Sequence, residues 1–105
     1  MNKLKTNEER SNNFSETLSF DDNTHVSVMC GESDNNLKTI ESELNVKIVP
    51  RGNLISVIGN KKKVKKVVLV LKSLYQSAKN NSPIDYGELK GAINMNVSEV
   101  KNNKK

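Results

Sequence analysis

The chain has no tryptophan, only two phenylalanines and two tyrosines in 105 residues, and a single cysteine. So few rings leave little to stack bases on, which argues against recognition of single strands on an aromatic platform. One cysteine, Cys30, excludes an internal disulfide and fits a reducing compartment. The N-terminal stretch MNKLKTNEERSNN lacks the apolar run of a signal peptide, and no stretch approaches the roughly 18 apolar residues of a membrane span. These absences predict a cytoplasmic protein with no membrane partner. Chemistry is equally thin. There is no Ser/His/Asp set, no zinc spacing and no phosphate-cradling glycine loop, so neither catalytic nor metal residues are expected and the chain reads as a non-enzyme. His25 has no partner at ligand spacing, and it reads, like Cys30, as structural. Glu41 and Glu43 read as a solvated helix face.

The most informative absence is acid. No Asp or Glu occurs between Glu43 and Asp85, while residues 45–84 carry nine bases. Residues 1–44 reverse the balance, with nine acids and four bases. A net charge of +5 hides this asymmetry. A surface of one sign points first to a polyanion, because clustered ammonium groups attract phosphates and displace their counterions.

The length suits one small domain with tails. Residues 1–15 are polar and aperiodic and read as a disordered tail. Thr17–Phe20 reads as a short strand stopped by Asp21–Asp22–Asn23. Thr24–Cys30 is open from its residues alone: Val26, Val28 and Cys30 alternate as in a strand, while Asp22 or Asn23 would equally cap a helix. After the loop Gly31–Asp34, Leu37, Ile40 and Leu44 make one helical stripe. Val46–Val49 and Leu54–Ile58 read as a hairpin around a four-residue loop, Pro50–Asn53, in which Gly52 can take positive φ. Asn60 then caps a long helix whose apolar stripe is Val64, Val67, Val68, Leu71, Leu74, Tyr75 and Ala78. Residues 16–80 form the expected domain, and 81–94 a linker with a short helix, Tyr86–Ile93, opened by an Asp85/Glu88 capping box. Residues 95–105 read as a disordered Lys/Asn-rich tail.

Leu18–Ser19–Phe20, Cys30–Gly31, Asp34–Asn35–Asn36–Leu37, Ile40–Glu41, Val46–Lys47–Ile48, Arg51–Gly52–Asn53, Gly59 and Leu74–Tyr75 occur in an order that is similar to a known family. The run from Leu18 to Ile93 resembles the N-terminal domain of the PhoH-like (phosphate-starvation-inducible) ATPases. That resemblance implies an α+β, KH-like β-α-α-β-β-α module, a three-stranded sheet with helices packed on one face. It favours a helix at Thr24–Cys30. Family members continue into a P-loop ATPase domain, but this chain has no G-x-x-x-x-G-K-S/T. On this resemblance ATP and magnesium belong to a domain absent from the chain, which corresponds to the accessory part alone.

In KH modules a G-x-x-G loop clamps the nucleic-acid backbone. Here the equivalent loop is Gly31–Glu32–Ser33–Asp34, a degenerate clamp with two carboxylates where phosphate would sit. RNA contact is therefore assigned to Arg51, Asn60, Lys61, Lys62, Lys63, Lys65, Lys66, Lys72 and Lys79, and the competing reading is a solvated face in a lysine-rich protein. Leu69 and Val70 lie off the helical stripe and are the candidate docking pair of an assembly module, in which they and the final helix dock against the chain's own ATPase domain or a neighbouring subunit. With neither a P-loop nor a metal-binding carboxylate set, the chain should show no saturable magnesium-dependent ATP binding in equilibrium dialysis.

Overall fold

The computed structural model describes residues 14–94. The elements are β1 (Phe14–Ser19), α1 (Asn23–Cys30), a 3-10 turn (Glu32–Asp34), α2 (Asn35–Leu44), β2 (Lys47–Arg51), β3 (Leu54–Gly59), α3 (Lys61–Lys79) and α4 (Tyr86–Asn94). The protein is α+β, in the β-α-α-β-β-α order of a KH-like module with one further helix. The sheet is antiparallel, in the order β1-β3-β2, so β3 is central and β1 and β2 are edges.

Period two decides the sheet's two faces. Leu18, Ile48, Ile55 and Val57 are buried beneath the helices. The alternate residues Ser15, Thr17, Ser19, Lys47, Arg51 and Leu54 are exposed on the other face. There Thr17 Oγ1 and Ser56 Oγ lie 2.9 Å apart across the strands. β1 starts at Phe14, ahead of the expected Thr17 and inside the stretch 1–15 read as a tail. The reason is its pairing: Phe14 opposes Gly59 and Glu16 opposes Val57, and long-range pairing outweighs a weakly apolar local sequence. The remaining tail residues, 1–13 and 95–105, lie outside the described residues.

Thr24–Cys30 is helical. Asp22 closes its N-terminus by accepting from Thr24 N–H at 2.7 Å. That hydrogen bond is also the main cause that holds the Asp22 carboxyl below its ordinary range. The hairpin is tighter than expected. Pro50 and Arg51 belong to β2, Arg51 pairs with Leu54, and the turn is Gly52–Asn53 alone. Proline is admitted because β2 is an edge, and Gly52 adopts φ +62°.

α3 supplies the largest buried surface: Val64, Val67, Val68, Val70, Leu71, Leu74 and Ala78. It packs on β1, β3, α1 and α4. Val70 is only 1% exposed, so it is a core residue and not half of a docking pair; Leu69 is half-buried. Val70 lies about 40° from Leu74 on the helical wheel, and α4 covers that flank. Ser77 Oγ and Glu88 Oε2 join the two helices at 3.0 Å. α4 is part of the same core, through Leu89, Ala92 and Ile93, and so is more than a linker segment. Asp85 Oδ1 caps it by accepting from Glu88 N–H at 2.8 Å. Lys90 Nζ meets Glu43 Oε2 at 2.8 Å, a hydrogen bond that raises the Lys90 pKa and ties α4 to α2. Glu43 is therefore paired. Glu41 is also engaged, accepting from Ile48 N–H at 2.7 Å.

Of the two helical stripes, Leu37, Ile40, Val67, Leu71 and Leu74 are buried and Leu44 is half-buried at the edge of the cluster, and Ile48 and Val57 of the sheet are buried with them. In urea unfolding, Val70→Ala should cost about 2 kcal/mol, against under about 1 kcal/mol for Leu69→Ala.

Candidate nucleic-acid interface

A helix begins with main-chain N–H groups that no turn of its own can satisfy. In α3 one of these is met by Asn60, whose Oδ1 accepts from Lys62 N–H at 2.9 Å. Asn60 is thus occupied as a cap, and its side-chain oxygen is directed at the helix. Lys61, Lys62 and Lys63 fill the first turn and are exposed. Cations at this end oppose the helix dipole, at roughly 0.3–1 kcal/mol for each exposed charge. The lysine–carboxylate ion pairs of the described residues are Lys65–Glu16 and Lys90–Glu43, and neither engages Lys61, Lys62 or Lys63.

The next turn differs. Lys65 Nζ is 3.3 Å from Glu16 Oε1. Lys61 and Lys65 stand over the Phe14 ring at 5.6 and 5.4 Å from its centroid. Farther along, Lys66 is half-buried, Lys72 is exposed, and Lys79 lies 5.9 Å from the Tyr75 ring centroid. Phe14 and Glu16 are the partners that sequence reading missed. The signal was present, since Phe14, Glu16, Leu18 and Phe20 fall at period two, which begins before Thr17.

Arg51 stands apart from the lysine turn. It opposes Leu54 at the start of β3, whereas Lys61 follows the strand's far end. The six residues of β3 separate the two by about 17 Å at roughly 3.3 Å per residue. The helix of 19 residues likewise sets Lys79 about 27 Å from Lys61 at 1.5 Å per residue. The basic residues therefore form a long row on α3 and one separate arginine.

Its neighbours Pro50 and Gly52, but not Arg51 itself, line a shallow groove of about 380 Å³ with Asn23, Val26, Ser27, Cys30, Gly31 and Asp34. The degenerate clamp loop forms one wall. Gly31 has φ +83°, and a Cβ there would fall 2.8 Å from Asn36 Nδ2, which donates to Met29 O. Ser33 and Asp34 also take positive φ, 54° and 59°. Asp34 N–H is already spent on Gly31 O at 3.0 Å, and Glu32 and Asp34 are exposed. A phosphate at this wall would meet carboxylates and few free donors. The groove does not bring the clamp loop and the lysines together.

Two further groups are structural. His25 packs edge-on to Tyr75 at 5.9 Å, its Nδ1 3.7 Å from Asp22 Oδ2. Cys30 is buried, and no group of three or more His, Cys, Asp or Glu side chains suited to a metal ion occurs among the described residues. Among those residues no helix is long and apolar enough to cross a membrane. Compared with family models, curated proteins and solved structures, the chain gives no match.

Burial, reinforced by the Asp34 carboxylate, pushes the Cys30 thiol up to about 11. The fold holds the neutral thiol, so its contribution to stability is lost as pH rises from the ordinary 9.0 towards about 11. Iodoacetamide at pH 8 should label native Cys30 far more slowly than the urea-unfolded chain, as mass spectrometry would follow.

Proposed function

We propose that this chain is the KH-like accessory domain of a PhoH-like ATPase, contacting RNA weakly through its phosphate backbone and presenting it to an ATPase domain outside the chain. One observation carries the reading. Lys61, Lys62 and Lys63 are exposed together at the start of the longest helix, outside every ion pair of the described residues. Lysines placed there act with unsatisfied N–H groups to hold an anion, and they do so against the helix's own dipole. Lys72 and Lys79 extend the contact along α3. Lys65 contributes less, being shared with Glu16. Arg51, at the other end of the sheet, serves a separate nucleotide or none.

Binding of this kind is weak and read through charge. Few rings are present to stack bases, and the clamp loop is anionic. The assembly reading has lost Val70 to the core, which leaves it half-buried Leu69 and the final helix with its exposed Tyr86.

Fluorescence titration with a labelled single-stranded RNA tests the reading. Neutralising three or four phosphates gives a slope of about −2 to −3 in log K against log salt. Lys61→Gln, Lys62→Gln and Lys63→Gln together should flatten that slope and leave urea unfolding close to the parent's. Equal affinity and slope in the triple variant would reduce these lysines to a solvated face.

A further inference from the structure

The two edges of the sheet are not equivalent. Successive residues of a strand direct their main-chain groups to opposite sides. On β2, Ile48 and Pro50 face outward. Ile48 N–H is taken by Glu41 Oε2 at 2.7 Å, and Pro50 has no N–H, so this edge offers a fourth strand no donor from either residue.

β1 presents the opposite case. Phe20 N–H donates to Asn53 O at 2.9 Å, which continues the β1–β3 ladder and fixes its alternation. Phe14, Glu16 and Leu18 therefore face β3, and the N–H and C=O groups of Ser15, Thr17 and Ser19 face outward. None of these three amides has a hydrogen-bond partner among the described residues. The edge has no proline, and its one charged side chain, Glu16, is neutralised by Lys65. Among the described residues it lacks the devices with which natural sheets blunt an edge.

Above this edge runs a row of positive charge. α3 lies along β1, held at one end by Lys61 and Lys65 against Phe14. At the other end Tyr75 packs 4.5 Å from Phe20. Lys61, Lys65, Lys72 and Lys79 occupy the flank of the helix on this side, while the opposite flank meets α4.

We propose that the β1 edge takes an extended acidic segment of a partner protein as a fourth strand. The partner's main chain pairs with Ser15, Thr17 and Ser19, and its acidic side chains, at alternate positions, turn towards the lysine row. Charge selects this occupant. A second copy paired antiparallel through β1 would set two lysine rows against each other. RNA has no alternating N–H and C=O groups to complete the ladder. The site shares Lys61, Lys72 and Lys79 with the RNA reading but differs from it in the strand amides of Ser15, Thr17 and Ser19, which that reading does not use.

The test is NMR amide exchange on the full chain with a synthetic peptide of alternating glutamate and threonine. The peptide should slow exchange at Ser15, Thr17 and Ser19. Thr17→Pro should weaken binding about tenfold, as expected from losing one or two main-chain hydrogen bonds. Thr17 N–H gives nothing to β3, so the sheet tolerates proline there. Lys72→Gln with Lys79→Gln, a surface change that keeps the fold, should weaken binding about fivefold. The proposal is overturned if the peptide leaves the three amides unprotected. It is also overturned if a lysine-for-glutamate peptide binds equally, or if both variants bind like the parent. Protection without peptide that grows with protein concentration would assign the edge to a second copy, and equal protection by oligouridylate would assign it to RNA; either result overturns it.

Discussion

Burial of α3 is the constraint on which the rest of the molecule depends. Its apolar residues span nearly half the helix circumference, because two layers claim it: the sheet and α1 on one side, α4 on the other. At roughly 1.5–3 kcal/mol for each fully buried large side chain, no other element stabilises the domain as much. The helix also fixes the placement of everything polar. Its buried arc sets which lysines reach solvent, and Tyr75 anchors the β1–α1 corner by stacking on Phe20 and accepting from Asp22 N–H at 3.0 Å.

That same helix carries a conflict between folding and charge. Three lysines in its first turn work against the dipole, and no acidic residue precedes the cap closely enough to offset them. Elsewhere the chain resolves like problems locally: Lys65 has Glu16, Lys90 has Glu43, and the amide of Ile48 has Glu41. The unresolved turn is therefore distinct within its own molecule, and this contrast says more than lysine content does.

Much of the fold was legible in the sequence, for physical reasons that differ by element. The α2 and α3 stripes and the Asn60 and Asp85 caps depend on neighbours a few residues away, so local spacing reveals them. What failed depends on distant partners. Phe14 and Glu16 become strand only by pairing with Gly59 and Val57. Val70 becomes core only because α4 returns to cover it. Pro50 reads as a breaker until β2 is known to be an edge. Glu41 reads as solvated until the chain turns at Asn45, φ 56°, and brings Ile48 beneath it. Of the candidate site, exposure of the lysines was legible from the polar face of the helix. Their separation from Arg51 was not, because it follows from the length and direction of β3.

The unequal edges have a consequence for solution behaviour at high concentration. Growth of a sheet by edge pairing needs two open ends on every unit, one to join and one to continue. Here the Glu41–Ile48 hydrogen bond and Pro50 withhold the second end. A molecule captured through β1 presents the next arrival with a strand that cannot donate at those positions. The domain is in this sense a chain terminator: edge pairing stops at its first step, and a fibre built by that route has no propagating end.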